Sequence, residues 1–272
     1  MTRFIVVPQW QGSPSPRAML LVDGAAAIQG DLPRSATTSV EVPLEAGEAV
    51  GTGIQRYSAL RRVRDAVAAE LAILEEPAMI IGGDCGSAVG GVEHAAERYP
   101  NLAVVWLDAH PDLHTPATSP SGAFSGMALR AVLGEGGHDL VLEPPVAAAR
   151  IVLGGARDFD GAEEDVVTRS DIALVAPDAF GDDRALLDAV RRSGADAVYV
   201  HVDLDVLDPS AMTGVSASVP FGLTVADVVA AIARLRSELP LAGSSIAGFS
   251  PGSQSDAVGG LGAILRLVGA LA

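Results

Sequence analysis

The chain has 272 residues, 49% of them hydrophobic and 19% charged, a globular composition with enough apolar side chain for a large core. Its 18 basic against 34 acidic residues leave a formal charge of -16, which repels nucleic acid and anionic membranes and favours small cationic ligands, although an acidic surface also serves solubility alone. One cysteine, Cys85, excludes an internal disulfide, and no apolar run reaches the roughly 18 residues of a membrane span, which together point to a cytoplasmic protein.

The first apolar run is broken by Pro8 too soon for a signal-peptide core, so Phe4 to Val7 is predicted to be a strand. The acidic stretch from Gly30 to Gly51, with its glycines and prolines, is expected to be a surface excursion. A helical period then covers Ile54 to Glu75, followed by a strand at Ala78 to Ile81, a helix at Ser87 to Arg98 and a strand at Leu102 to Leu107. Further helices are expected at Gly126 to Leu133, Asp183 to Ser193, Thr224 to Ser237 and Asp256 to Leu271, with strands at Arg150 to Leu153, Ile172 to Val175, Ala197 to Val202 and Ser245 to Phe249. This alternation is the pattern of a parallel sheet covered by helices on both faces, here one α/β domain over residues 1–272. In such a fold ligands sit outside the carboxyl ends of the strands.

Polar clusters fall at those ends. Behind the strand at Leu102 to Leu107 comes Asp108-Ala109-His110-Pro111-Asp112, and behind the strand at Ala197 to Val202 comes Asp203-Leu204-Asp205. Side chains two residues apart on a strand share a face, so Asp108, His110 and Asp112 are expected to converge, as are Asp203 and Asp205. Four carboxylates with one imidazole form a hard, oxygen-rich set suited to manganese. Crowded carboxylates repel one another unless cations compensate, and paired metals make hydroxide available near neutral pH. For a single pair, Asp-x-Asp is equally a turn or helix cap.

Three motifs, Gly82-Gly83-Asp84-Cys85, Asp108-Ala109-His110-Pro111-Asp112 and Asp203-Leu204-Asp205-Val206-Leu207-Asp208-Pro209, resemble the arginase, agmatinase and formiminoglutamase family, the ureohydrolases. The resemblance implies a three-layer α/β/α fold with an eight-stranded, mostly parallel sheet, a binuclear manganese site, and hydrolysis of a linear C–N bond in a guanidino or amidino compound by metal-activated hydroxide. It further implies that Asp108 and Asp203 bridge both metals, that His110 and Asp205 complete one shell, and that Asp112 and residue 85 serve the other. A homo-oligomer is also implied.

Several positions depart from that pattern. The family has histidine where Cys85 stands; a thiolate suits zinc or iron better than manganese, and the alternative is a small buried hydrophobe. Ser125 replaces a proton-relaying histidine, a hydroxyl being a poor acid or base at neutral pH, and Gly248 stands where arginases hold the guanidinium with a glutamate. Ser121 matches a position contacting a substrate carboxylate, and His114 stands where a carboxylate-binding asparagine is found. Asp160 and Glu163 match the positions that recognise a substrate amino group, or else form an acidic helix N-terminus.

His201 shares the parity of Asp203 and either orients a ligand carboxylate or packs beneath the site. His94 and His138 are expected at the surface, and Trp106 in the core. Two readings follow: a metal-dependent amidine hydrolase with altered specificity, its substrate arginine-like or modified, such as an N-hydroxyguanidine or formimino compound; or a degenerate member of the fold acting as a binding or regulatory subunit.

Overall fold

Eight strands of three to seven residues, mostly apolar apart from the Thr-Thr-Ser edge strand and the small-residue strand Leu241–Ala247, form the sheet in a computed structural model whose described residues are Thr2 to Ala272. The strands are β1 (Arg3–Val7), β2 (Thr37–Ser39), β3 (Ala78–Gly82), β4 (Leu102–Leu107), β5 (Ile151–Gly154), β6 (Ala173–Val175), β7 (Ala197–Asp203) and β8 (Leu241–Ala247). They pair in the order β2-β1-β3-β8-β7-β4-β5-β6, every neighbour parallel. Parallel strands need crossovers, and these are supplied by α1 (Leu20–Gly30), α2 (Tyr57–Leu71), α3 (Val89–Arg98), α4 (Ala128–Val132), α5 (Gly161–Arg169), α6 (Ala185–Arg192) and α7 (Val225–Arg236). The last helix, α8 (Gln254–Leu271), follows β8.

Alternate residues of each strand feed opposite layers. Val6, Ile81, Val105, Val200 and Ile246 pack with α1, α6, α7 and α8 through Ile28, Leu187, Val228 and Ile264. On the other face Val104, Trp106, Leu153 and Tyr199 meet α2, α3 and α4 through Leu60, Val92 and Leu129, while Ile5 and Ile80 meet Val63 and Val67 of α2. The result is a three-layer α/β/α fold. Because both faces are covered, β4 and β7 are buried throughout, and each fully buried Val, Ile or Leu contributes about 1.5–3 kcal/mol over exposure.

Local differences from the sequence expectation have local causes. Helix α1 lacks a side-chain cap and is rich in alanine and glycine, so it carries little of the periodicity by which a helix is recognised. The edge strand β2 spans three residues inside the expected excursion, too few for an alternation to show. Strand β8 lies four residues earlier than expected at its start, and ends where Gly248 turns to a φ of +89°. No helix among the described residues is long and apolar enough to cross a membrane.

Candidate metal centre

Strands β3, β8, β7 and β4 are consecutive in the sheet, and the segments leaving their carboxyl ends bring Cys85, Gly248, Asp203 and Asp108 to one cavity of about 370 Å³. His110, Asp112 and Asp205 line the same cavity. Register aligns the two acidic clusters, since Leu107 of β4 pairs with Val202 of β7 immediately before Asp108 and Asp203.

Asp108 and Asp203 are built alike. Each turns Oδ1 back to accept the backbone N–H two residues on, from His110 at 2.8 Å and from Asp205 at 2.9 Å. Each is thus the turn cap that Asp-x-Asp alone suggests, yet in both Oδ2 points onward to Cys85 Sγ, at 3.9 Å from Asp108 and 2.7 Å from Asp203. Trp106, core as expected, reaches back to donate its Nε1–H to Asp108 Oδ2 at 3.3 Å.

Convergence of Asp108, His110 and Asp112 does not come from strand alternation, which corrects the spacing argument. β4 ends at Leu107, and the chain then turns, with Ala109 N–H donating to Asp205 Oδ1 at 3.1 Å instead of continuing a ladder. Asp112 takes a left-handed φ of +53°, a conformation that aspartate tolerates better than most residues. Asp205 lies in the single helical turn after β7, and Arg157 holds that turn by donating to the carbonyl oxygens of Asp205 at 2.9 Å and Val206 at 3.2 Å.

His110 Nδ1 stands 3.0 Å from Asp205 Oδ2 and 3.4 Å from Asp108 Oδ1, and its Nε2 is 3.7 Å from Asp158 Oδ2. One ligand atom from each of Asp108, His110 and Asp205 lies within 4.8 Å of the others, and so does a second set, Cys85, Asp108 and His201. Asp112 Oδ2 is buried without a hydrogen-bond partner among the described residues.

Electrostatics shows what this crowding costs. Burial, then repulsion from Asp205, pushes Asp203 up to about 7; burial, then Asp108, pushes Asp205 up to about 6. Asp112 is raised well above the carboxylate range by burial and the charge of Asp108. Burial opposes a charged His110, but hydrogen bonds and charges from Asp108 and Asp205 outweigh it and hold its pKa up to about 12. The Cys85 thiol is pushed up by burial and by Asp203, Asp112 and Asp108. Four buried carboxylates, one with an orphaned oxygen, fit divalent cations, whose charge would reverse each of these shifts.

Asp84 lines the cavity but spends its carboxylate on Gln9 Nε2 at 2.8 Å and the backbone N–H groups of Gly12 at 2.9 Å and Gly86 at 3.0 Å. It fastens the segment carrying Cys85 to the loop after β1. Ser13 to Pro16 of that loop also line the cavity, and no motif in the sequence marked them.

Of the remaining expected residues, His114, Ser121, Ser125 and Glu163 line the cavity. Ser121 Oγ accepts from Ala123 N–H at 3.1 Å and Ser125 N–H donates to the Gly12 carbonyl at 2.9 Å. Asp160 caps α5 through Oδ1 with Glu163 completing a capping box, so the helix-terminus alternative holds; Asp160 Oδ2 also stands 3.3 Å from His114 Nε2. Glu163 Oε1 accepts from Leu113 N–H at 3.2 Å and lies 3.8 Å from the same imidazole nitrogen. The His114 ring is therefore engaged with the two acids.

His201 is fully buried, with Nδ1 2.8 Å from Ser245 Oγ and its ring 3.8 Å from that of Trp106. Burial holds its pKa down at about 3, so the ring is neutral. Parity with Asp203 placed it near the site, but its approach to Cys85 depends on a neighbouring strand and was not visible. His94 is half-buried beside Arg98, and the side chain of His138 lies outside the described residues.

The sequence profile of the Arginase family matches residues 24–264. Arginase from Brevibacillus brevis is 37% identical over 155 residues, covering 54% of this chain and 52% of that protein, and arginase from Bacillus subtilis (strain 168) is 36% identical over 154 residues with the same shares. The chain thus spans about half the length of the curated relatives it matches. Solved structures extend the likeness in fold: Entamoeba histolytica arginase in complex with L-ornithine superposes with a TM-score of 0.86 at 21% identity, covering 99% of this chain and 97% of that one. Formimidoylglutamase from Bacillus subtilis gives 0.75 at 18%, covering 99% and 86%.

Proposed function

The chain belongs to the arginase family, and from that premise we propose that it is a metal-dependent hydrolase of a linear C–N bond in an amidino or guanidino compound, with residues 1–272 acting as one domain. The observation that carries this reading is the burial of Asp108, Asp112, Asp203 and Asp205 in one cavity with an orphaned oxygen on Asp112. Carboxylates so placed strain the protein alone and become favourable once cations bind.

Asp108, His110, Asp203 and Asp205 would hold one cation, of manganese type by their oxygen-rich donor set, and Asp108, Asp112, Asp203 and Cys85 would surround a second. Bound there, the metal supplies Lewis acidity that makes water a nucleophile near neutral pH. The chain's own residues fix the geometry. Turn bonds at Asp108 and Asp203 lock one oxygen of each carboxylate, leaving the other to face the centre. His110 must give up the proton shared with Asp205 before it can ligate.

Substrate recognition follows from the cavity's size and lining. A cavity of about 370 Å³ suits a small molecule. Without a carboxylate at Gly248, an unmodified guanidinium lacks a charge-assisted partner of about 1.5–3 kcal/mol there, favouring a less basic end such as a formimino or N-hydroxyguanidino group. Asp160 and Glu163 are already paired with His114, which weakens their hold on a free ammonium. A small-molecule substrate, a cytoplasmic setting and self-association into an oligomer complete the proposal. The experiment is a screen of arginine, N-hydroxyarginine, agmatine, guanidinobutyrate and formiminoglutamate with manganese-loaded protein, measuring urea, hydroxyurea, formamide and ammonia. Turnover of a modified or formimino substrate supports the reading; binding of cations without turnover of any of them favours a non-catalytic member of the fold.

A further inference from the structure

We propose that Cys85 and His201 form a sulfur–nitrogen ligand pair which, with Asp108, makes the second cation position selective for zinc or ferrous ion, so that the two positions of the centre take different metals. This rests on the reading of the cavity as a cation centre and goes beyond it in assigning His201 a ligand role and the two positions unlike preferences.

Three observations converge. A ligand nitrogen of His201, Cys85 Sγ and an Asp108 carboxylate oxygen lie within 4.8 Å of one another. His201 is 0% exposed and its Nε2 has no hydrogen-bond partner among the described residues, while Nδ1 is taken by Ser245 Oγ at 2.8 Å. A nitrogen buried without a partner costs about 1–3 kcal/mol and calls for a reason. In the tautomer that carries its proton on Nδ1 and donates it to Ser245 Oγ, the lone pair sits on Nε2, the form a metal requires.

The ring cannot easily turn away to satisfy that nitrogen elsewhere. It lies 3.8 Å from the ring of Trp106, its register partner on β4, and is held on the other side by Ser245, its partner on β8. Tetrahedral ligands at about 2.0–2.3 Å from one ion stand roughly 3.5 Å apart, so the group closes on a cation with small side-chain movements. Cys85 Sγ now donates to Asp203 Oδ2 at 2.7 Å; on binding, the thiol proton leaves to solvent and the sulfur–metal bond replaces the S–H bond. Thiolate and imidazole together select zinc, iron or cobalt over manganese, whereas the position built on His110 and Asp205 keeps the harder donor set.

The test uses the full chain, freed of metal, then loaded with one equivalent of manganese and one of cobalt(II), a visible stand-in for zinc. The expected result is a sulfur-to-cobalt charge-transfer absorption that is absent in Cys85→Ser, and a cobalt affinity about 10–100-fold weaker in His201→Gln with manganese binding unchanged. Zinc-edge X-ray absorption on wild type loaded with one equivalent of manganese and one of zinc gives a second measurement that needs no variant, with one sulfur and imidazole scattering expected. Two manganese ions taken up in preference to cobalt, a spectrum without sulfur, or a cobalt affinity indifferent to His201→Gln overturns the proposal and leaves the hydrolase reading standing. Failure of every ion to bind overturns both.

Discussion

Gly248 is pressed against the carboxylate of Asp203: a β-carbon added at Gly248 would lie 2.3 Å from Asp203 Oδ1, at a backbone φ of +89°. Asp203 Oδ1 is the oxygen that caps the turn carrying Asp205, so the absence of a side chain at 248 is a requirement of this centre and more than a loss of a guanidinium partner. Gly248→Ala is expected to weaken cation binding by about 10–100-fold by displacing Asp203. Left-handed strain of roughly 1–2 kcal/mol adds to the damage. Gly248→Glu is expected to do the same and not to create arginine hydrolysis. Isothermal titration with manganese reads the effect, and wild-type affinity in Gly248→Ala would show that Asp203 is free to move.

Asp84 holds three donors from two separate segments. Asp84→Ala leaves them buried and unsatisfied at roughly 1–3 kcal/mol each, so a loss of about 3 kcal/mol or more is expected, near 10 °C in melting temperature. Thermal unfolding measures it. A drop of only a degree or two would mean that water takes over those bonds.

His114 and Glu163 both line the cavity, and His114 Nε2 stands 3.3 Å from Asp160 Oδ2 and 3.8 Å from Glu163 Oε1. His114→Asn removes their partner, and the KM for substrates ending in a free ammonium is expected to fall about tenfold relative to those lacking one, as charge-assisted bonds of 1.5–3 kcal/mol become available. Comparing amino-acid-ended substrates with their deamino analogues tests this. An unchanged ratio would place the substrate's far end elsewhere.

Stability should depend on pH in opposite senses with and without cations. In the cation-free protein Asp203 is raised to about 7 and Asp84 and Asp205 to about 6, above the ordinary 3.8, so between these values the folded state holds more protons than the unfolded chain. Stability then falls as pH rises through that window. Cations bind the deprotonated ligands, so the stabilisation they add grows over the same window. Melting curves of chelator-treated and manganese-loaded protein across this interval check both halves. Asp203→Asn should flatten the cation-free slope; a melting temperature that climbs with pH in the cation-free wild type would contradict the assignment.

Much was legible in the sequence because it depends on local chemistry. Apolar runs such as Leu102 to Leu107 and Ala197 to Val202 need burial on both faces, and the helical segments between them dictate parallel crossovers, which determined the layered fold and put Asp108 and Asp203 at strand ends. The motif spacing likewise marked His110, Asp112 and Asp205. Other features were decided only when strands distant in the chain became neighbours. Asp108, His110 and Asp112 meet through a turn stitched to Asp205, not through strand periodicity. Gly248 is fixed by Asp203, His114 by Asp160, and His201 by Trp106 and Ser245. Periodicity reports which face a residue occupies, whereas the approach of two side chains depends on sheet order and register, which no single segment encodes.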